Sequence, residues 1–125
     1  MSTSYRTSGA VVDAAIKVHT ALGPGLLESA YHACLAHEFR RRGFTVRCQV
    51  PLPVAYDGIR LDVGYRIDMV VNEDVVAELK AVSKIAPIHE AQLLSHLKLS
   101  GFRIGLLINF HVVRLKEGIK RMVND

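Results

Sequence analysis

The sequence predicts an α/β fold in which a mixed β-sheet is flanked by helices. The first 42 residues follow the hydrophobic period of helices, residues 44–82 follow that of strands, and one more helical segment precedes a final apolar stretch. Elements in this order bury their apolar faces when helices pack against one sheet. With 125 residues, half of them hydrophobic, the chain suits a single domain at 1–125.

Two helices are predicted at the start of the chain. The first covers residues 8–22, with Ser8 as its cap, and a Gly-Pro-Gly run at 23–25 ends it. Its apolar face carries Val12, Ala15, Ile16 and His19. The second covers residues 26–42, and Gly43 ends it. Its apolar side carries Leu27, Tyr31, Cys34, Leu35 and Phe39.

Most of the remaining chain is predicted to be extended. Strands are expected at 44–50, 52–56, 59–61, 64–71, 75–82, 102–110 and 119–123. The turns Asp57-Gly58 and Asn72-Glu73-Asp74 predict two hairpins, and Pro51 and Pro53 indicate a sheet edge. A third helix is predicted at 88–100, closed by Gly101. The stretch 102–110 is apolar on both sides, which predicts an interior strand.

Composition excludes several classes of protein. No apolar run approaches the ~20 residues that span a bilayer, and the N-terminus lacks a signal-peptide pattern, so we expect a cytoplasmic protein that binds no membrane. Cys34 and Cys48 match no zinc pattern and are expected to be reduced and mostly buried. The histidines and serines form no zinc or hydrolase-triad motif. A net charge of +4 is compatible with a polyanionic partner.

The predicted hairpin at 64–82 carries an unusual set of charges. Glu78 and Lys80 point the same way because side chains alternate along a strand, and the strand around them is apolar. On the paired strand, Tyr65, Ile67, Met69 and Val71 are expected on one face, with Arg66, Asp68 and Val70 on the other. The turn then brings Asp68 near Glu78. Two carboxylates and an ammonium indicate either a divalent-ion site or a structural ion pair involving Lys80.

These residues also resemble a known family. The GxxExxY signature reads Gly25-Leu26-Leu27-Glu28-Ser29-Ala30-Tyr31, and the later motifs are Arg66-Ile67-Asp68, Glu78-Leu79-Lys80, Gln92 and Gly105-Leu106-Leu107-Ile108-Asn109-Phe110. In this order they are similar to the GxxExxY family of the PD-(D/E)XK nuclease superfamily, over about residues 8 to 123. The resemblance implies a restriction-endonuclease-like core. Ile67 stands where the superfamily motif has proline.

The resemblance implies roles for the central residues. Asp68 and Glu78 would bind Mg²⁺ or Mn²⁺, helped by the main-chain carbonyl of Leu79. Lys80 would position the attacking water and stabilise the negative charge that develops on the phosphate.

Four further residues are candidates, each with an alternative. Glu28 would hold a second metal or its water, or is only an acid favoured in the first turn of a helix. Gln92 would orient the site, or is a polar residue near a helix start. Tyr31 would contact the substrate, or is an amphipathic core tyrosine. Lys84 would contact nucleic acid, or is a solvated lysine.

The leading hypothesis is therefore a Mg²⁺-dependent nuclease acting on nucleic acid, with DNA favoured. The alternative is a nuclease-fold binding module for nucleic acid or protein in which catalysis is weak or absent. Because so short a chain has little surface beyond its core, a homodimer or a partner protein is expected to help grip the substrate.

Overall fold

The computed structural model describes residues 3–125. Within this range, α-helices cover Thr3–Leu22 (α1), Glu28–Arg41 (α2) and Pro87–Ser100 (α3). Strands cover Val46–Pro51 (β1), Val54–Tyr56 (β2), Ile59–Leu61 (β3), Arg66–Val71 (β4), Val75–Lys80 (β5), Ile104–Asn109 (β6) and Ile119–Val123 (β7). The predicted order of elements is confirmed, and a 3₁₀ helix at Leu115–Gly118 is an addition to it.

The main sheet has five strands in the order β1-β4-β5-β6-β7. Only β5 and β6 run parallel, and α3 makes the crossover between them. The other neighbouring pairs are antiparallel, so the sheet is mixed as predicted. All six residues of β6 are buried between β5 and β7, which confirms its interior position. This is the arrangement of a restriction-endonuclease-like fold.

Each face of the sheet has its own hydrophobic core. On one face, Val11, Leu35 and Phe39 of α1 and α2 pack with Met69 and other residues of β4, β5 and β6. On the opposite face, Leu93 and Leu97 of α3 pack with a second cluster that includes Val70, Val76 and Leu107. The alternation along β5 therefore sends Glu78 and Lys80 toward the α3 side, where Val76 also points.

The close contact between α3 and the sheet depends on Gly105. A methyl group on Gly105 would lie 2.9 Å from Cδ1 of Leu93 and 3.1 Å from Cδ1 of Leu97. Such distances are shorter than carbon–carbon contacts in a packed core. Glycine at this position therefore allows α3 to lie directly on β6, beside the end of β5.

The first helix differs from its predicted start. The prediction that Ser8 caps α1 is wrong, because the helix already includes Thr3 and Ser8 is a buried residue within it. The Ser8 hydroxyl accepts a hydrogen bond from Nε of Arg121 at 3.1 Å. Thr7 donates one to Asp74 in the β4–β5 turn at 2.8 Å. These tertiary contacts extend the helix, and no local sequence pattern encodes them.

Two expectations about buried side chains are also wrong. Cys34 is exposed, and Leu27, which precedes α2, is 78% exposed. The inward face of α2 instead includes Ala36 and Glu38. Tyr31, Leu35 and Phe39 are buried as predicted, so the buried face of α2 differs from the predicted one at its margins.

The regular alternation of side chains between the two faces of the sheet is interrupted within β4. Met69 belongs to the core under α1 and α2, but Ile67 belongs to the α3 core, as does its partner Val50 on β1. The prediction that Ile67 and Met69 share a face is therefore wrong. Gln49, between the paired positions on β1, has φ of 53°, and this left-handed residue rotates the ribbon. The change of face on β4 falls at Asp68.

Glu38 is held by the cations around it. Its carboxylate accepts hydrogen bonds from Arg42 at 2.7 Å, from Lys17 at 3.2 Å and from Arg41 at 3.4 Å. The Arg42 hydrogen bond is the largest cause that lowers the pKa of Glu38 from 4.5 to about 2, against burial, which raises it. The folded state therefore gains stability from ionised Glu38 above pH 4.5 and loses it as the pH falls toward about 2.

We expect Glu38→Gln to lower the melting temperature at neutral pH, because three cations would lose their shared anion. The difference from the unsubstituted protein should shrink as the pH falls from 4.5 to about 2 in a series of thermal melts. Glu73→Gln is the matched control, since Glu73 pairs with Arg47 at an exposed site and such pairs contribute little. A difference for Glu38→Gln that stays constant with pH would contradict this assignment.

No helix among the described residues is long and apolar enough to cross a membrane.

Candidate active site

The strands β4 and β5 separate at one point, and two carboxylates lie there. Their pairing covers Val71 with Val75, Val70 with Val76 and Met69 with Ala77, and then stops. Beyond that point β4 continues alongside β1, while β5 continues alongside β6 to Lys80. We call this point the fork.

Side chains replace the main-chain ladder at the fork. The Leu79 amide donates a hydrogen bond to Oδ2 of Asp68 at 2.8 Å, and the Asp68 amide donates one to Oε2 of Glu78 at 3.1 Å. Each strand thus binds the carboxylate of the other. This exchange fixes both acidic side chains on the α3 side of the sheet, with their charges close together.

The two carboxylates open into a small cleft, which we call the carboxylate pocket. Its volume is about 120 Å³. It is lined by Glu28, Arg66, Asp68, Glu78, Lys80, His89, Gln92, Leu93, His96 and Leu107. The structure therefore brings together Asp68, Glu78, Lys80, Glu28 and Gln92, five of the candidate residues that were named from sequence.

Burial and like charge act on Asp68. Burial raises the pKa of its carboxyl group, and the Glu78 and Glu28 carboxylates raise it further. The hydrogen bond from the Leu79 amide and the nearby His32 ring oppose this rise in pKa. Ionised Asp68 is thus unfavourable beside Glu78 unless a cation compensates it.

Glu78 is almost fully buried and has a second partner. Nδ1 of His96 on α3 donates a hydrogen bond to Oε1 of Glu78, while Oε2 accepts the Asp68 amide. His96 was not a candidate from sequence. A signal was present, however, because His89, Gln92 and His96 recur at spacings of three and four, which places them on one helix face.

Two more histidines lie close to the two carboxylates: His89 lines the carboxylate pocket, and His32 contacts the main chain of Asp68. His32 Nε2 lies 3.2 Å from the main-chain oxygen of Asp68. Nδ1 of His89 accepts a hydrogen bond from the Ala86 amide at 3.0 Å, and so caps the start of α3. His32 thus contacts the strand that carries Asp68, and His89 contacts the start of the helix that carries Gln92 and His96.

Lys80 stands at the end of β5 and lines the carboxylate pocket. Within residues 3–125 its ammonium makes no ion pair shorter than 4.0 Å, whereas seven other pairs meet that limit. The alternative of a structural ion pair requires contact between Lys80 and Asp68 or Glu78. The geometry instead leaves the ammonium free to meet an anion that enters the pocket.

Tyr31 lies outside the carboxylate pocket. It is fully buried and its ring stacks on Phe110 with centroids 4.4 Å apart. Its hydroxyl donates a hydrogen bond to the Gly23 carbonyl and accepts one from the Leu26 amide at 3.0 Å. The structure therefore favours a core tyrosine that shapes the loop before α2, and corrects the expectation of a substrate contact.

Glu28 and Lys84 are both exposed but differ in position. Glu28 is the first residue of α2 and lines the carboxylate pocket, so both of its expected roles are compatible with its place. Lys84 lines a neighbouring depression with Ser83 and Lys120. The structure thus does not bring Lys84 to the carboxylates.

The carboxylate pair suits a hard divalent cation. Asp68 and Glu78 supply two oxygen-bearing groups, and Mg²⁺ is commonly bound through one or two carboxylates together with waters. Across residues 3–125, no three His, Cys, Asp or Glu side chains lie together in a way that could hold one metal ion. Of the acidic candidates, the structure joins Asp68 and Glu78 through hydrogen bonds at the fork, and Glu28 lines the same pocket.

One comparison with known proteins found a match. A family model described as the PD-(D/E)XK nuclease superfamily matches residues 5–122. No curated protein and no solved structure shows significant similarity to the chain.

Proposed function

The chain belongs to the PD-(D/E)XK nuclease superfamily, and from that premise we propose that it is a metal-dependent nuclease acting on nucleic acid, with DNA as the favoured substrate. The observation that carries the proposal is the fork, where two carboxylates share a partly buried space beside Lys80, which has no ion pair among residues 3–125. Burying like charges is unfavourable unless they bind a cation.

In this proposal Asp68, Glu78 and the Leu79 carbonyl hold Mg²⁺ or Mn²⁺. The bound ion would supply Lewis-acid stabilisation of charge on the phosphate. Lys80 holds the attacking water and faces the phosphate oxygens, where its positive charge favours the transition state over the ground state. Gln92 orients the water from α3, and Glu28 accepts a hydrogen bond from water at the outer edge of the pocket.

His96 has a positioning role in the same proposal, because its Nδ1 holds the carboxylate of Glu78. We expect His96→Leu to lower Mn²⁺ affinity by about 10- to 100-fold, as is usual when a partner of a ligand is lost. His96→Asn is the matched control, since its side chain amide can donate from the position of Nδ1. Calorimetric titration should give a near-normal Mn²⁺ affinity for His96→Asn. Equal losses of Mn²⁺ affinity in both variants would contradict the positioning role.

The test of the function is direct. Purified protein is incubated with single-stranded and duplex DNA and RNA in Mg²⁺, Mn²⁺ or EDTA, beside the Lys80→Ala variant. Cleavage in a divalent ion that stops in EDTA and in the variant supports the proposal. Lack of cleavage under every condition would reject it.

One observation favours the alternative, a nuclease-fold binding module with weak or absent catalysis. Both oxygens of Glu78 are already bound by protein groups, the Asp68 amide and His96. If these contacts outcompete a metal ion, divalent cations will not raise the melting temperature. Nucleic-acid binding without a divalent-dependent rise in stability would then select this alternative.

Four finer assignments belong to the proposal. The sequence motifs support membership of the GxxExxY family, and the matched range supports a single domain at 1–125. A cytoplasmic location, and association with a second copy of the chain or with a partner protein, are supported by the sequence arguments given above.

A further inference from the structure

A second concavity adjoins the carboxylate pocket. It has a volume of about 390 Å³, within the range of ligand-binding clefts. Tyr65, just before β4, forms one side, and Ile88, Ala91, Ser95 and Leu99 of α3 form the other. We call it the side pocket.

The side pocket exposes large apolar side chains. Tyr65 is 53% exposed, Ile88 60% and Leu99 37%. Single exposed apolar residues are ordinary, but several that surround one cleft indicate a surface that is covered when the protein works.

The side pocket is continuous with the carboxylate pocket. Gln92 and His96 line both of them. The rings of Tyr65 and His96 lie 6.2 Å apart, so the aromatic side of the cleft begins next to the residue that holds Glu78. A molecule whose reacting group lay at the carboxylates would therefore place an adjacent group in the side pocket.

The charges where the two pockets meet indicate what kind of chemical group the side pocket would bind. Arg66 directly follows Tyr65 and lines the carboxylate pocket, as Lys80 does. Within the described chain, Arg66 makes no ion pair shorter than 4.0 Å. The aromatic face of Tyr65 beside the cations of Arg66 and Lys80 is complementary to a flat apolar group attached to a phosphate.

We propose that the side pocket binds the unstacked base of a nucleotide next to the phosphate at the carboxylates, so that the substrate is single-stranded or unpaired there. The inference rests on the proposed nuclease function and adds the form of the substrate. Tyr65 stacks on one face of the base, Ile88 and Leu99 contact the other, and Ser95 meets its polar edge. A base inside a duplex is already stacked and would first have to leave the stack, which costs free energy that a single strand does not pay.

The low aromatic content of the chain is compatible with this site. Four tyrosines, four phenylalanines and no tryptophan cannot form a platform for a run of bases. One base needs only one exposed ring. We therefore expect recognition of a single position, with the rest of the strand bound through its phosphates.

The test uses single-stranded and duplex oligonucleotides that carry one 2-aminopurine, with Ca²⁺ in place of Mg²⁺ and affinity read by anisotropy. We expect the protein to bind the single strand more tightly and to change the fluorescence of the 2-aminopurine. Tyr65→Ala should weaken single-strand binding by about 5- to 150-fold, the loss of one base–aromatic stack. Tyr65→Phe is the matched control and should bind like the unsubstituted protein, and both variants should keep their melting temperature.

The outcomes separate this inference from the proposed function. If the protein cleaves nucleic acid in Mg²⁺ but Tyr65→Ala binds the single strand normally, the inference fails and the nuclease stands. Binding that depends on Tyr65, without cleavage by the unsubstituted protein, keeps the inference and rejects the nuclease. If no oligonucleotide binds, or if Ile88→Ser turns a dimer into a monomer without changing oligonucleotide affinity, the side pocket is not a base site.

Discussion

Asp68→Asn is expected to abolish divalent-ion binding and cleavage while leaving the fold intact. Removing a ligand should cost more than the about 10- to 100-fold that loss of a ligand's partner costs. Metal ions contribute several kcal/mol to the stabilisation of such transition states, so cleavage should fall on the order of a thousandfold or more. The asparagine oxygen can still accept the hydrogen bond from the Leu79 amide.

The same substitution should not lower stability in the absence of metal. The pKa of Asp68 is raised in the folded protein, so the folded state holds its proton more tightly than the unfolded chain. Stability is therefore lost as the pH rises from the ordinary pKa of 3.8 through the raised pKa of the folded state, and the neutral asparagine avoids this loss. Thermal melts at neutral pH in EDTA should give an equal or higher melting temperature for Asp68→Asn.

Asp62→Asn is the control, because Asp62 is exposed and lies outside the carboxylate pocket. It should keep both metal affinity and cleavage. If Asp68→Asn binds Mn²⁺ with normal affinity in a calorimetric titration, the metal does not bind at this site.

Lys80→Ala should separate cleavage from metal binding. A protonated lysine offers no lone pair to a metal, so removing it should leave divalent-ion affinity unchanged or slightly higher. Cleavage should fall by about a hundred- to a thousand-fold, as for the loss of one electrostatic stabiliser. Because Lys80 has no ion pair within the described residues, its loss should change the melting temperature little.

Lys84→Ala provides the matched comparison for Lys80→Ala, since Lys84 is exposed and lines a different depression. It should retain cleavage. A structural role for Lys80 predicts the opposite pattern, in which Lys80→Ala lowers stability and changes no activity. Melting temperature, Mn²⁺ affinity and cleavage measured on both variants distinguish the two.

Much of the fold could be predicted because its signals are local. Asp57-Gly58 and residues 72–74 mark real hairpin turns, and Gly101 ends α3 with φ of 82°. The bounds predicted for β7, 119–123, agree with those of the strand. Each of these signals comes from a few adjacent residues, as turn and cap chemistry does.

The predictions that the structure corrects failed because they depend on contacts between residues far apart in the chain. The early start of α1 is accompanied by hydrogen bonds to Asp74 and Arg121, far along the chain. The reversal between Ile67 and Met69 involves Gln49 on a neighbouring strand. Strand periodicity assumes a regular pleat, so it cannot show a rotation that two strands make together.

The central part of the candidate site could be inferred because an acid and a lysine two residues apart in an apolar strand are costly to bury. His96 could not be inferred in the same way, because its role depends on how closely α3 approaches β5. That approach depends on Gly105 in another strand. Tyr31 was ambiguous because only the structure shows that its hydroxyl is bonded to the Gly23 loop.

The fork also links the chemistry of the site to the protection of two main-chain protons. The amides of Asp68 and Leu79 donate to side-chain carboxylates of the neighbouring strand and not to its main-chain carbonyls. Their exchange with deuterium therefore depends on whether the carboxylates of Glu78 and Asp68 keep these positions. The amides of β6, such as that of Leu107, lie within regular pairing and serve as an internal reference. Two backbone positions can thus report the state of the site in the intact protein, without a substrate.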